Sequence, residues 1–107
     1  MSKFTIKTDA RGEFRFNLVA GNGRVILTSE GYTVKASCMK GIESVRKHAP
    51  VDGNYERKQA KNGQYMFNLK AGNGEIIGTS EMYTSVDGRN NGIASVKRNA
   101  QRADVVE

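Results

Sequence analysis

The sequence predicts an α+β protein built from two tandem copies of one unit, with antiparallel strands and two helices. Three observations predict it. First, Gly12-Glu13-Phe14-Arg15-Phe16-Asn17-Leu18-Val19-Ala20-Gly21-Asn22-Gly23 returns as Gly63-Gln64-Tyr65-Met66-Phe67-Asn68-Leu69-Lys70-Ala71-Gly72-Asn73-Gly74, and Gly63 stands 51 residues after Gly12 with no gap in the match. A fixed period of this size is the mark of a repeat architecture. Second, each copy opens with period-two alternation, the mark of a half-buried strand. Third, each copy ends with apolar residues at helical spacing.

The chain has 107 residues, enough for one ordinary domain. A copy of about fifty residues buries too little apolar surface to offset its chain entropy comfortably. The copies, 1–51 and 52–107, are therefore expected to share one core as a single pseudo-symmetric domain, a monomer with an internal pseudo-dimer.

In order, Phe4, Ile6 and Thr8 alternate with Lys3, Thr5 and Lys7, as in a strand with one buried face. Asp9-Ala10-Arg11-Gly12 is a turn by composition. Phe14, Phe16, Leu18 and Ala20 then share one strand face and Arg15, Asn17 and Val19 the other. Gly21-Asn22-Gly23 turns the chain, because Gly and Asn tolerate the positive φ of tight hairpins. Val25-Ile26-Leu27-Thr28-Ser29 reads as a third strand whose faces the continuous apolar run leaves open.

After Glu30 the period changes. Thr33 suits a helix N-cap, and Val34, Cys38, Ile42, Val45 and Ala49 recur at helical spacing until Pro50. The second helix, from Thr84 through Val86, Ile93, Val96 and Ala100, is poorer. Its stretch Asp87-Gly88-Arg89-Asn90-Asn91-Gly92 is full of weak helix formers, so tertiary packing must hold its first turns. Gly41 and Gly92 are expected to let each helix approach the sheet closely. Two helices cannot cover both faces of a six-stranded sheet, so one face is expected to be solvated. Ala103 to Glu107 should be an ordered strand, since Val105 and Val106 are β-branched and apolar.

Composition limits the function. Net charge is +6, with nine Lys/Arg against four Asp/Glu in residues 1–50 and eight against seven in 51–107. No apolar run reaches the roughly 20 residues of a membrane helix, and the alternating N-terminus lacks the apolar core of a signal peptide. One cysteine, Cys38, cannot form an internal disulfide. The expected setting is cytoplasmic, away from membranes.

The chemical motifs are sparse. The Gly-Asn-Gly turns look like fragments of a phosphate loop, but they lie between strands instead of at a helix N-terminus. Cys38 and His48 lack the further ligands a zinc site needs, and roughly three helical turns separate them as nucleophile and base. No metal, cofactor or catalytic residue is expected, and the chain is read as a non-enzyme. Ser29, Glu30 and Tyr32, with Ser80, Glu81 and Tyr83, form a candidate polar ligand set at each strand-to-helix junction; the simpler role is to fix that junction. The candidate nucleic-acid contacts are Lys7, Arg15, Lys58 and Lys70 on the open face and Arg46, Lys47, Lys97 and Arg98 at the helix ends. They supply the charge of a weak, non-specific single-strand surface without the aromatic platforms that usually accompany it. The leading reading is a binding or interaction module whose partner, protein or nucleic acid, the sequence leaves open.

The repeated Phe/Tyr-x-Phe-Asn-Leu-x-Ala-Gly-Asn-Gly, followed by Ile-x-Thr-Ser-Glu-x-Tyr-Thr and Gly-Ile-x-Ser-Val, resembles the YegP-like family of small bacterial proteins over nearly the whole chain, in both copies. The resemblance implies two β-β-β-α-β units in one antiparallel sheet, helices on one face and final strands exchanged between units. It also implies a bacterial source, and it brings no established activity. Asp87 to Asn91 depart from the repeat.

Overall fold

The computed structural model describes residues 1–107. The elements follow as β1 (Lys3–Thr8), β2 (Phe14–Val19), β3 (Val25–Ser29), α1 (Lys35–His48), β4 (Tyr55–Gln59), β5 (Tyr65–Lys70), β6 (Ile76–Thr79), α2 (Val86–Ala100) and β7 (Asp104–Val106). The strands lie in one sheet in the order β4-β5-β6-β3-β2-β1-β7.

The hairpins form where the glycines allow them. Gly12, Gly23, Gly63 and Gly74 have φ between +79° and +86° and carry the four turns. At each of them a residue with a Cβ would meet the steric cost of the left-handed region. Asn22 and Asn73 accept a hydrogen bond from the backbone N–H two residues on, at 3.0 Å, which locks the turn from its own side chain.

The continuous apolar run of β3 has a simple explanation. Leu18 pairs with Leu27, but Val19 pairs with Val25, so Ile26 is an extra residue and the ladder bulges. A bulge interrupts the alternation. Ile26 and Leu27 both enter the core, while Val25 stays partly exposed. β6 repeats the irregularity, with Leu69 opposite Gly78 and Lys70 opposite Ile76.

β3 and β6 meet antiparallel at the centre, with Thr28 opposite Thr79. These two threonines are equivalent in the repeat, so the pseudo-twofold axis passes between them. Beside the axis the symmetry fails. Leu27 is fully buried and its counterpart is Gly78, where a Cβ would lie 2.6 Å from Leu27 Cγ. One copy supplies the bulk and the other the space.

Both helices cover the same face. α1 packs on β2 but also on β5 and β6 of the other copy, and α2 packs on β5, β3 and β2. One cluster of 18 buried residues draws on both copies, with Phe4, Phe16, Leu18, Ile42 and Val45 facing Phe67, Leu69, Ile93 and Val96. Gly41 and Gly92 do permit a close approach, but by a tyrosine ring: a Cβ there would meet the hydroxyls of Tyr32 and Tyr83 respectively.

Several expectations need correcting. The sheet is mixed, because β7 pairs parallel with β1, placing Phe4 opposite Val105. The segment after α1 is a 3-10 turn over Asp52–Asn54, and the strand begins only at Tyr55, where it opens the second copy. Helix α1 starts at Lys35 with Val34 in the cap position and no side-chain cap, so Thr33 does not serve. Helix α2 starts at Val86, and Ser85 caps it by accepting from the Gly88 N–H at 2.9 Å. That cap offsets part of the weak propensity of Asp87 to Asn91.

Candidate binding site

Where β3 and β6 end, their serines replace missing sheet bonds. Ser29 Oγ accepts from the Phe16 N–H at 2.9 Å and donates to the Glu30 carbonyl at 2.8 Å. Ser80 does the same for the Phe67 N–H at 3.0 Å and the Glu81 carbonyl at 2.8 Å. A buried N–H left unpaired would be costly, so both hydroxyls have a structural task.

Past these serines the two strands part over the open face of the sheet, leaving a cleft of about 370 Å³ on the pseudo-twofold axis. Thr28 and Thr79 form its floor, and Glu30 and Glu81 stand at its ends. Arg15 forms a wall: its Nε donates to Asp9 at 2.8 Å and its Nη1 to the Ser29 carbonyl at 3.0 Å. The hydrogen bond from Arg15 holds the Asp9 carboxyl below its ordinary range. The two carboxylates differ in their surroundings. Glu81 is ion-paired to Arg24. The residue equivalent to Arg24 is Glu75, so Glu30 has no matching cation.

The candidate polar set is thus brought together in part. Ser29, Glu30, Ser80 and Glu81 line the axial cleft. Tyr32 and Tyr83 lie on the helix side, stacked on Phe16 and Phe67 with ring centroids 6.5 Å apart. Burial pushes both phenols above their usual range.

The eight candidate cations are scattered. Lys7 sits opposite Arg15 in the β1–β2 ladder, and Lys70 and Lys58 lie against Glu56 at 3.0 and 4.0 Å. The nearby Asn68 amide and Lys70 hold the Glu56 carboxyl below its usual range. Arg46 lies 5.4 Å from the Phe4 ring centroid and donates to the Ala103 carbonyl at 2.6 Å. Its equivalent Lys97 lies 5.6 Å from the Tyr55 ring and 2.9 Å from Asp52. Lys47 and Arg98 remain exposed without an ion-pair partner.

The other reactive groups are committed. Cys38 is a fully buried free thiol, and burial raises its pKa. His48 faces the Ser44 carbonyl through Nδ1 at 2.8 Å and accepts from the Gly72 N–H through Nε2 at 3.2 Å. No cluster of three or more His, Cys, Asp or Glu side chains is placed to hold a metal, and no helix is long and apolar enough to cross a membrane.

The family model described as "Domain of unknown function (DUF1508)" matches the chain twice, over residues 9–56 and 60–107. The chain belongs to the DUF1508 family. Its DUF1508 relatives include a protein of Stutzerimonas stutzeri described as "UPF0339 protein in ptx operon 5'region", 54% identical over 104 residues that span 97% of this chain and 94% of that one. The UPF0339 protein YegP of Escherichia coli K12 is 53% identical over 96 residues, 90% of this chain and 87% of that one. Two solution NMR structures share the fold. That of the E. coli protein of unknown function yegP has a TM-score of 0.92 at 50% identity, covering 97% of this chain and 90% of its own. That of a UPF0339 protein from Shewanella oneidensis has a TM-score of 0.91 at 46% identity, covering 97% and 88%. These DUF1508 relatives are uncharacterised, so the family carries the fold and brings no assigned activity.

Two features of the site escape sequence reasoning. The axis is invisible in residue types, whereas the bulge is half signalled by the apolar triplet Val25-Ile26-Leu27. The Arg24–Glu81 pair joins residues 57 apart and follows only from the β3–β6 pairing.

Proposed function

We propose that this protein is a non-enzymatic binding module of the bacterial cytoplasm, acting as a monomer, and that the axial cleft seats the group it recognises. The carrying observation is that the cleft is lined by equivalent residues of both copies, Thr28 with Thr79 and Glu30 with Glu81, while its buried serine hydroxyls are already saturated by backbone partners. A hydroxyl that accepts one backbone bond and donates another is poorly placed to act as a nucleophile. The free thiol of Cys38, buried in the core, suits a reducing compartment. Glu30 makes no ion-pair contact, since Arg15 of the same cleft is engaged by Asp9 and the Ser29 carbonyl, and it favours a partner that brings a basic or hydroxyl-bearing side chain.

Both edges of the sheet argue against strand addition as the mode of binding. β7 has three residues, and β4 carries Arg57, Lys58 and Gln59 exposed along its edge. Short and charged edges resist pairing with another chain.

The test is affinity capture from a bacterial lysate, with and without nuclease, using the parent and a variant that blocks the floor, Thr28→Arg with Thr79→Arg. A partner kept after nuclease and lost with the variant supports this reading. A partner that nuclease removes, and that persists with the variant, transfers the function to nucleic acid and the exposed cations.

A further inference from the structure

The departure of Asp87 to Asn91 from the repeat has a consequence on the helix side of the sheet. A second cleft of about 310 Å³ opens there between the β2–β3 hairpin and α2. Asn22 and Arg24 come from the hairpin, Glu81 and Tyr83 from the β6–α2 junction, and Asn91 and Ser95 from the helix. The other copy has no such cleft; the third cavity lies at the N-terminus beside Gly21 and Arg102. The sequence supplies the reason. Gly88 and Asn91 of the cleft correspond to Ser37 and Lys40, and Arg24 corresponds to Glu75. The same weak helix formers that cost α2 stability are those that leave the space open. Local rules are most often broken where a site needs it.

The chemistry of the walls is specific. Arg24 and Glu81 form one half-exposed ion pair at the mouth. Asn22 accepts from the Arg24 N–H through its Oδ1, leaving its amide N–H₂ free to donate. Ser95 accepts from Asn99 Nδ2 at 3.0 Å, which leaves its hydroxyl hydrogen free. Tyr83 is held by Phe67 and Gly92, and its hydroxyl has no acceptor within the chain, whereas buried Tyr55 donates to the Ala49 carbonyl. A cleft near the lower bound of roughly 300 Å³ for small-molecule sites fits a small solute.

We infer that this second cleft binds a small zwitterion of the α-amino-acid class. Its carboxylate lies against Arg24 with Tyr83 and Asn91 donating, and its ammonium lies against Glu81. A ligand carrying both charges exchanges one exposed ion pair for two shared ones and leaves the net charge of the site unchanged. A simple anion would leave Glu81 unpaired, and a simple cation would leave Arg24 unpaired; either costs more than it gains. This site shares Glu81 with the axial cleft, and its test reads residues that line the second cleft alone.

The experiment is a ¹⁵N–¹H NMR titration of the full chain with glycine, alanine and serine, each up to about 10 mM. Acetate, methylammonium and glucose serve as single-charge and uncharged controls. The expected result is saturable shifts of the Asn22, Arg24, Tyr83, Asn91 and Ser95 amides with the amino acids only. Arg24→Gln should weaken binding by at least about tenfold. Asn91→Lys, which installs the residue of the equivalent position and a better helix former, should abolish it with an unchanged spectrum elsewhere. No saturable shifts, equal shifts with glucose or acetate, unchanged binding by the folded Asn91→Lys protein, or shifts confined to Thr28 and Thr79 would each overturn the inference.

Discussion

The steric match across the pseudo-twofold axis can be tested by a double-mutant cycle on Leu27 and Gly78. Leu27 is fully buried, and a Cβ on residue 78 would lie 2.6, 2.8 and 3.1 Å from its Cγ, Cδ2 and Cδ1. Leu27→Ala removes three buried carbons at the centre of the core, and such truncations cost about 2–5 kcal/mol. For a chain of this size that is a fall in Tm of roughly 8–40 °C, at about 4–8 °C per kcal/mol. Gly78→Ala would ordinarily help a strand by reducing the entropy of the unfolded chain, by about 0.4–1 kcal/mol. Here it forces the new methyl into a branched side chain that has nowhere to go, and overpacking of this kind costs about 1–3 kcal/mol. Together the changes should interfere constructively, since alanine at 78 enters the space that leucine vacates. The double variant should therefore be more stable than the sum of the singles by about 1–3 kcal/mol. Urea unfolding of the four proteins, followed by circular dichroism at 25 °C, measures the cycle. Additivity within about 0.5 kcal/mol would refute the reasoning, because residues that do not touch are expected to add to that extent.

Gly23→Val should cost about 1 kcal/mol or more, as φ is +85° while the space around a Cβ is empty, so the penalty is purely conformational; an unchanged urea midpoint would count against the turn. Truncation after Arg102 removes buried Ala103, the acceptor of Arg46, and the strand opposite fully buried Phe4. The midpoint should fall by the equivalent of about 1–3 kcal/mol, and amide-exchange protection of β1 should drop; a truncated chain with the parent's midpoint and protection would contradict the role of β7. Hydrogen bonds from Lys97 and then Arg57 hold Asp52 below its usual carboxylate range. A carboxyl depressed in the folded state stabilises above its unfolded pKa, and that contribution is lost as pH falls through the folded one. Thermal midpoints measured from about pH 6 down to pH 2 should therefore fall less steeply for Asp52→Asn than for the parent, with identical slopes as the contrary result.

The legibility of the chain in its sequence tracks how local each cause is. Phe14, Phe16 and Leu18 alternate because a half-buried strand demands it, and the structure buries Phe16 and Leu18 as the pattern says. Gly23 and Gly74 mark their turns through a backbone angle that neighbours cannot alter. The helices are visible in Ile42, Val45, Ile93 and Val96 for the same reason. What fails to show depends on residues far apart in sequence. The parallel pairing of β7 with β1 joins the two chain ends, so no window of residues contains it. The bulge at Ile26 is half legible: an uninterrupted apolar triplet signals lost alternation but not where the ladder slips. Ser29 and Ser80 invite a ligand reading as residue types, and only the Phe16 and Phe67 N–H groups facing them reveal the structural use. The separation of Tyr32 from Glu30 is hidden from a period-two reading, which would put residues two apart on one face; the chain leaves β3 at Ser29, and Tyr32 bridges back to Phe14.

The packing of α1 across the boundary between copies shapes how this protein can come off the ribosome. Helix α1 is complete at His48, yet two of the strands it rests on, β5 and β6, end only at Lys70 and Thr79. At roughly 5–20 residues per second, translation of that interval lasts about 2–6 s. Throughout it the apolar stripe of α1 and the inner face of β3 wait for their counterpart, and the nascent first copy must be held or remain loosely collapsed. The outer edge of β1 waits longer still. Its neighbour β7 is made only after α2 is complete, since it begins at Asp104. Until that moment β1 presents an unpaired strand edge, the kind of surface on which nascent chains of a polysome pair wrongly. The first strand of the sheet to be made is thus shut away from its neighbours only by the last of the seven strands.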